Sequence, residues 1–301
     1  MDLVGVLDMG NDGVAAVVDL AAKLKADPSS VAGSREGLRV GLFFEKPSTR
    51  TRVSCEVGTA ELGAQPVVLK NDEVGLGTRE APQDVARVLE RYLDVLAFRV
   101  FDHHNLELMA EHAEAPVINL LSDLEHPCQA IADLLTVVEH RPLKGASIAY
   151  VGDGNNVAHS LMLAASAVGA SVTVAAPTGY GPSDTVVERA RDGAADGAQI
   201  TVTDDPYAAV AGADAVYTDV WTSMGSETEA EERQRRFEPF RVTEELFEAA
   251  GDDAIFMHCL PAHRGEEVTA GVMEHSRSRV FDQAENRLHA FKAILLHLTA
   301  E

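Results

Sequence analysis

The sequence predicts an α/β protein of two domains, each a parallel sheet flanked by helices, with the C-terminal helix returning to the first domain. Short apolar runs rich in Val, Leu and Ile alternate with segments of helical period along the chain, which implies parallel strands joined by helical crossovers. With 301 residues and 46% hydrophobic content, the chain is long enough for two domains of about 150 residues each. The polar stretch HRPLKG at 140–145 falls near the midpoint, and the strand–helix pattern restarts after it. The expected division is therefore 1–140, 141–282 and a closing helix at 283–301.

In order, residues 11–25 place Val14, Val17, Val18, Ala21 and Leu24 on one helical face, with Asn11 as the expected cap. A strand at Val40–Phe44 hands over to a helix capped by Ser48. A strand near Pro66–Leu69, a loop NDEVGLGTRE and a helix from near Pro82 with Val85, Val88, Leu89 and Tyr92 come next. Asp94–Phe98 reads as a strand, Asn105–Glu114 as a helix, APVINLL as a strand, and His126-Pro127 opens a further helix. The second half repeats the pattern: ASIAYVGD, a helix over Asn156–Val168 stopped by Gly169, then SVTVAAP. Further strands are expected at Gln199–Thr203, Asp214–Asp219 and Ala254–Met257, with a long last helix over Gln283–Leu298.

The totals exclude several function classes. No apolar run approaches 18 residues, so no membrane span is expected. The start MDLVGVLDMGNDG lacks a basic or Arg-rich targeting character, which points to the cytoplasm. Cys55, Cys128 and Cys259 are few, odd in number and far apart, which argues for free thiols. A net charge of −23 excludes general binding to nucleic acid or anionic membrane. Excess acid with scarce lysine also predicts a salt-adapted protein, because screening removes the cost of self-repulsion.

In so acidic a chain, one basic cluster stands out. FEKPSTRTR at 44–52 sets Ser48, Thr49, Arg50, Thr51 and Arg52 at a helix start, where backbone N–H groups and guanidiniums attract a phosphate-like anion. The plainer reading is a capped helix with solvated arginines. Ligands in open parallel sheets sit beyond the carboxyl ends of the strands, and six segments fall there. They are Ser48–Arg52, Arg99, His126–Gln129, Asn155-Asn156, Asp219–Met224 and His258–Leu260. The imidazole and amide of HPCQ can address a carbonyl or phosphoryl oxygen, and the carboxylate of Asp219 suits an ammonium. As a zinc site, His258, Cys259 and His263 lack a fourth ligand. The glycines of VGDGNNVAH lack the ribose-binding acid of a dinucleotide fold, because the next strand ends Ala175-Ala176-Pro177. The charge run Glu227–Arg236 reads as a solvated face, and His103, His104 and His275 as surface residues.

Taken together, FEKPSTRTR, HPCQ at 126–129, GDGNN at 152–156, DVWTSMG at 219–225, HCLPAHRGEEV at 258–268 and AENR at 284–287 resemble the ornithine carbamoyltransferases over essentially the whole chain. The first two motifs are similar to those of aspartate carbamoyltransferases, whereas DVWTSMG and HCLP point to ornithine as acceptor. The resemblance implies carbamoyl phosphate held by Ser48, Thr49, Arg50 and Thr51, with Arg99, His126, Pro127, Cys128, Gln129 and Arg287. Cys259 and Leu260 would add main-chain contacts to the carbamoyl group, and Asn156, Asp219, Ser223 and Met224 would hold ornithine. The catalytic set implied is Cys259, Asp219, Arg99 and His126, with no metal and no cofactor. The resemblance also implies a homotrimer or an assembly of trimers. Where the family carries Gln or His in a loop serving a neighbouring subunit, this sequence has Gly75, with Thr78 and Arg79 as substitutes. Other readings are a carbamoyltransferase for putrescine or an acylated ornithine, and a non-catalytic binder of small anions or amino acids.

Overall fold

The computed structural model describes residues 1–222 and 229–300, so Ser223 and Met224 lie outside the described residues. The chain divides into two compact units, 1–135 with 285–301, and 136–284. The first runs through α1 (Gly10–Ala26), β1 (Arg39–Phe44), α2 (Thr49–Glu61), β2 (Gln65–Lys70), α3 (Asn71–Val74), α4 (Pro82–Leu89), β3 (Val95–Arg99), α5 (His103–His112), β4 (Val117–Leu121) and into α6 (Pro127–Val138). The second runs through β5 (Ser147–Val151), α7 (Asn156–Ala167), β6 (Ser171–Ala175), α8 (Asp184–Asp192), β7 (Ile200–Thr203), α9 (Pro206–Val210), β8 (Ala215–Thr218), α10 (Ala230–Phe237), α11 (Glu244–Glu248), β9 (Ile255–His258) and α12 (Ala270–Met273) to α13 (Val280–Leu298).

Each unit is built on a parallel sheet, of order β2-β1-β3-β4 in the first and β7-β6-β5-β8-β9 in the second. Apolar strands pack under helices: Phe43, Leu96, Phe98, Leu106 and Val117 in the first unit, and Val151, Val216, Phe240, Phe247 and Phe256 in the second. Strand order reverses between β1 and β3 and again between β5 and β8. Connections diverge at those two points and leave a crevice at the carboxyl ends of the strands. The tight turn from β5 to α7 requires glycine at 154, where a Cβ would overlap the backbone of Gly181 and Pro182.

From Glu285 onward α13 belongs to the first unit. Arg287 Nη2 donates to Thr51 Oγ1 at 2.6 Å, and the fully buried Lys292 Nζ pairs with Glu61 at 2.5 Å. The closing helix thus braces α2, as the sequence predicts.

Several local expectations are corrected. The two compact units meet within α6, a few residues before the HRPLKG stretch that follows that helix. Asn11 is not a cap, since a preceding 3₁₀ turn starts α1 at Gly10. NDEV in the expected loop forms α3, started by Glu73 accepting from the Lys70 N–H at 2.9 Å and stopped by left-handed Gly75. Helix α4 ends at Leu89, before Tyr92; Val88, on its outer face, and Tyr92 are both exposed. His103 is half-buried with Nδ1 at 2.7 Å from Ser122 Oγ, and His275 packs edge-on against Phe247. Within the charge run, Arg233 is buried: it pairs with Asp153 at 2.6 Å and donates to the Trp221 carbonyl at 2.7 Å. A helix face that is charged in sequence can still turn one guanidinium inward when a carboxylate and a carbonyl await it.

Candidate active site

In the first unit the strand–helix turn after β1 builds an anion site. Extended Ser48 caps α2, its Oγ accepting from the Thr51 N–H at 3.4 Å and donating to Thr51 Oγ1 at 3.0 Å. Thr51 is buried, and its hydroxyl also receives Arg287. The remaining N–H groups of the first turn and the helix dipole favour a negative charge here. Arg52 does not join the cluster: it turns outward to pair with Glu56 at 2.6 Å, four residues along an exposed face. Arg99 ends β3, which lies beside β1 in the sheet.

His126 opens α6 from a fastened loop. Asn119, Ser122 and Glu125 hold that loop through bonds to the Glu125 carbonyl and N–H, while the Glu125 carboxylate accepts the Val6 N–H at 2.9 Å. None of these three stands out in the sequence, because polar residues after a strand look alike whether they anchor a loop or face water. Burial first, then the charges of Arg287, Arg99 and Arg50, hold the His126 imidazole well below its ordinary 6.5. One imidazole therefore feels three guanidiniums, which places Arg50, Arg99 and Arg287 around a common point. A neutral ring among three cations is an N–H donor that cannot give up a full proton, which suits a developing oxyanion.

This depressed value has a consequence for stability. Below about pH 6.5 the unfolded chain binds a proton at His126 that the folded chain does not, so stability falls as pH falls through that window. Above it, both states are neutral and the effect vanishes. His126→Gln is expected to remove about one proton from the slope of unfolding free energy against pH in that window. Urea titrations across pH 5–8 check this, and an unchanged slope would contradict it.

Gln129 is buried one turn on, its Nε2 donating to Asp133 at 2.8 Å while Oε1 has no partner among the described residues. A buried carbonyl oxygen of this kind awaits an N–H donor. Pro127 takes the first helical position, where its missing N–H costs nothing. The Cys128 thiol is engaged with the Asn119 carbonyl at 3.5 Å, and burial pushes its pKa up to about 12.

In the second unit the groups converge on Asp219, beyond the end of β8. Its Oδ2 accepts Asn155 Nδ2 at 2.9 Å and its Oδ1 accepts the Cys259 thiol at 2.9 Å, with both Asp219 and Cys259 buried. Asn155 is the cap of α7, its Oδ1 accepting from the N–H groups of Val157 and Ala158. Asn155 thus touches Asp219, and its neighbour Asn156 stands half-buried at the first helical position. Leu260 follows with φ +61°. Asp219, His258 and Cys259 have their donor atoms close together, as do His263, Glu266 and Glu267. The thiol and carboxylate in the first group already satisfy each other, and both His258 ring nitrogens are engaged.

In the loop with Gly75, a Cβ at 75 would crowd the Arg79 Cβ, and the side chains of Thr78 and Arg79 bond to main-chain carbonyls of their own loop.

Two family models match the chain. The carbamoyl-P binding domain of aspartate/ornithine carbamoyltransferase matches residues 1–139, and the Asp/Orn binding domain of the same family matches 144–298. An ornithine carbamoyltransferase of Anoxybacillus flavithermus is 49% identical over 99% of this chain and 96% of its own. An anabolic ornithine carbamoyltransferase of Pyrococcus furiosus is 52% identical over 86% of this chain and 83% of its own. The solved structure of ornithine carbamoyltransferase from Pyrococcus furiosus superposes with a TM-score of 0.94 at 47% identity, covering 98% of this chain and 96% of that one.

Proposed function

The chain belongs to the aspartate/ornithine carbamoyltransferase family, and from that premise we infer that it transfers the carbamoyl group of carbamoyl phosphate to the δ-amine of L-ornithine, giving L-citrulline and phosphate. The observation that carries the reading is the set of three guanidiniums around a neutral His126 beside the start of α2.

On this reading Arg50 and the first-turn N–H groups hold the phosphate, with Ser48, Thr49 and Thr51. Arg99, His126 and Thr51 face the carbamoyl oxygen, and Gln129 Oε1 accepts from the carbamoyl NH₂. Arg287 keeps Thr51 in place. Asn156, Asp219, Ser223 and Met224 hold ornithine, and Cys259 and Leu260 present their main chain to the carbamoyl group. A free δ-amine has a lysine-like pKa near ~10.4, so its neutral form must be favoured before it attacks. The C–N bond forms as the carbonyl becomes an oxyanion; the C–O bond to phosphate then breaks, and the amine proton passes to the Asp219–Cys259 pair. Juxtaposing the reactants supplies about 7–11 kcal/mol, and each oxyanion donor about 10²–10³ in rate.

The relative named anabolic supports the direction towards citrulline. Buried free thiols at Cys55, Cys128 and Cys259 suit the reducing cytoplasm. Val53 and Val57, exposed on α2, support self-association as a homotrimer or an assembly of trimers. The charge of −23 supports salt adaptation.

A colorimetric citrulline assay tests the inference, with ornithine, putrescine and an N-acylated ornithine compared as acceptors from low to multimolar KCl. Citrulline from ornithine, little product from the others and activity rising with salt are expected, from a particle of three chains or a multiple of three by sedimentation. Phosphate binding without product at any salt would leave a non-catalytic binding protein instead.

A further inference from the structure

His258 closes β9, and both it and Glu267 are fully buried, yet neither enters the reaction described above. The His258 main-chain N–H donates to Gln283 Oε1 at 2.8 Å, which fixes the backbone at that point. Its Nδ1 lies 2.9 Å from the Leu260 N–H. A backbone N–H only donates, so Nδ1 carries a lone pair and the ring proton sits on Nε2. That Nε2 faces Glu267 Oε1 at 3.1 Å, and the same oxygen accepts the His263 N–H at 2.5 Å. Between them, Leu260 holds φ +61°, a left-handed conformation that residues with a side chain adopt rarely, and Cys259 places its thiol on Asp219.

We propose that Glu267 and His258 are a positioning pair for carbamoyl transfer: Glu267 fixes the tautomer in which His258 grips the Leu260 N–H, so that the Cys259-Leu260 main chain and the Cys259 thiol keep their reactive placement. The inference rests on the function proposed above. Without an acceptor at Glu267, the Nε2–H is buried unpaired and nothing holds the ring's far side, so the imidazole turns away from the Leu260 N–H and the grip ends. A backbone in a sparsely populated region does not hold its place without such an outside bond.

The experiment compares His258→Asn with His258→Phe. An Asn carbonyl reaches the N–H two residues on in an Asx turn, whereas Phe fills the space and accepts nothing. If the role is to hold Leu260, kcat for citrulline falls about 10²-fold in the Phe variant and recovers at least tenfold in the Asn variant, since small misplacements near the chemistry cost that much. The Kd for inorganic phosphate stays within about twofold in both, because the start of α2 and Arg50 are untouched. Should the Phe variant fail to fold, Glu267→Leu against Glu267→Gln decides: Gln keeps an acceptor for Nε2 and Leu does not, so only Leu loses turnover by about 10²-fold. A Phe or Leu variant turning over within threefold of the native enzyme would overturn the proposal. Native protein that makes no citrulline would reject the function itself, a different outcome from active native protein with equally active variants.

Discussion

Replacing Arg50 with glycine weakens binding of carbamoyl phosphate and of inorganic phosphate by about 10²–10⁴-fold. A guanidinium meets phosphate in a two-pronged fork, and charge-assisted hydrogen bonds are worth about 1.5–3 kcal/mol each, so losing both removes roughly 3–6 kcal/mol. At about 1.4 kcal/mol per tenfold, that gives the stated loss. The effect is separable from folding. The charges of Arg287, Arg99 and Arg50 all weigh on His126. Removing one relieves repulsion and partly offsets the cost of about 1 kcal/mol for glycine within a helix. Calorimetric titration of phosphate checks this, and an unaltered Kd in a folded variant would contradict the anion-site argument.

Asp219→Asn lowers kcat by about 10²–10³-fold, within the range of a lost proton acceptor. Asp219 accepts from two directions, Asn155 and Cys259, each at 2.9 Å. An asparagine offers one carbonyl and one NH₂, so one of those donors then faces another donor. The proton leaving the ornithine amine also loses its carboxylate. Cys259→Ser keeps a donor towards Asp219 but changes the softness and acidity of the group, so turnover falls much more than carbamoyl phosphate affinity. Steady-state kcat and KM for both substrates check the pair, and a Ser variant with native kcat would reject a role for the thiol in proton transfer.

The sheets were legible because period and alternation survive in sequence: Val40, Leu42 and Phe43 in β1, or VINLL in β4, have no plausible place but a buried parallel strand. The cluster at the start of α2 was legible for a similar reason, since Ser48 before two Arg residues is local chemistry. What lay hidden depends on partners distant along the chain. Arg52 and Arg50 are indistinguishable in STRTR until a helical turn sets Arg52 beside Glu56. Arg233 looks like every other charge in EERQRR until Asp153 and the Trp221 carbonyl are placed around it. Asn155 is an N-cap whose NH₂ meets Asp219, a role that shows only once Asp219 is brought beside it. Glu267 is one of two adjacent acids in RGEEV, and only the folded chain puts it under His258. Composition and periodicity report the layers, while the aim of a single side chain is set by long-range neighbours.

The most direct test of the central claim is a crystal structure of the protein soaked with carbamoyl phosphate. The account predicts phosphate oxygens within hydrogen-bond distance of the Ser48–Thr51 turn and of Arg50, with the carbamoyl oxygen facing Arg99 and His126. A phosphate bound elsewhere, with those guanidiniums untouched, would contradict it.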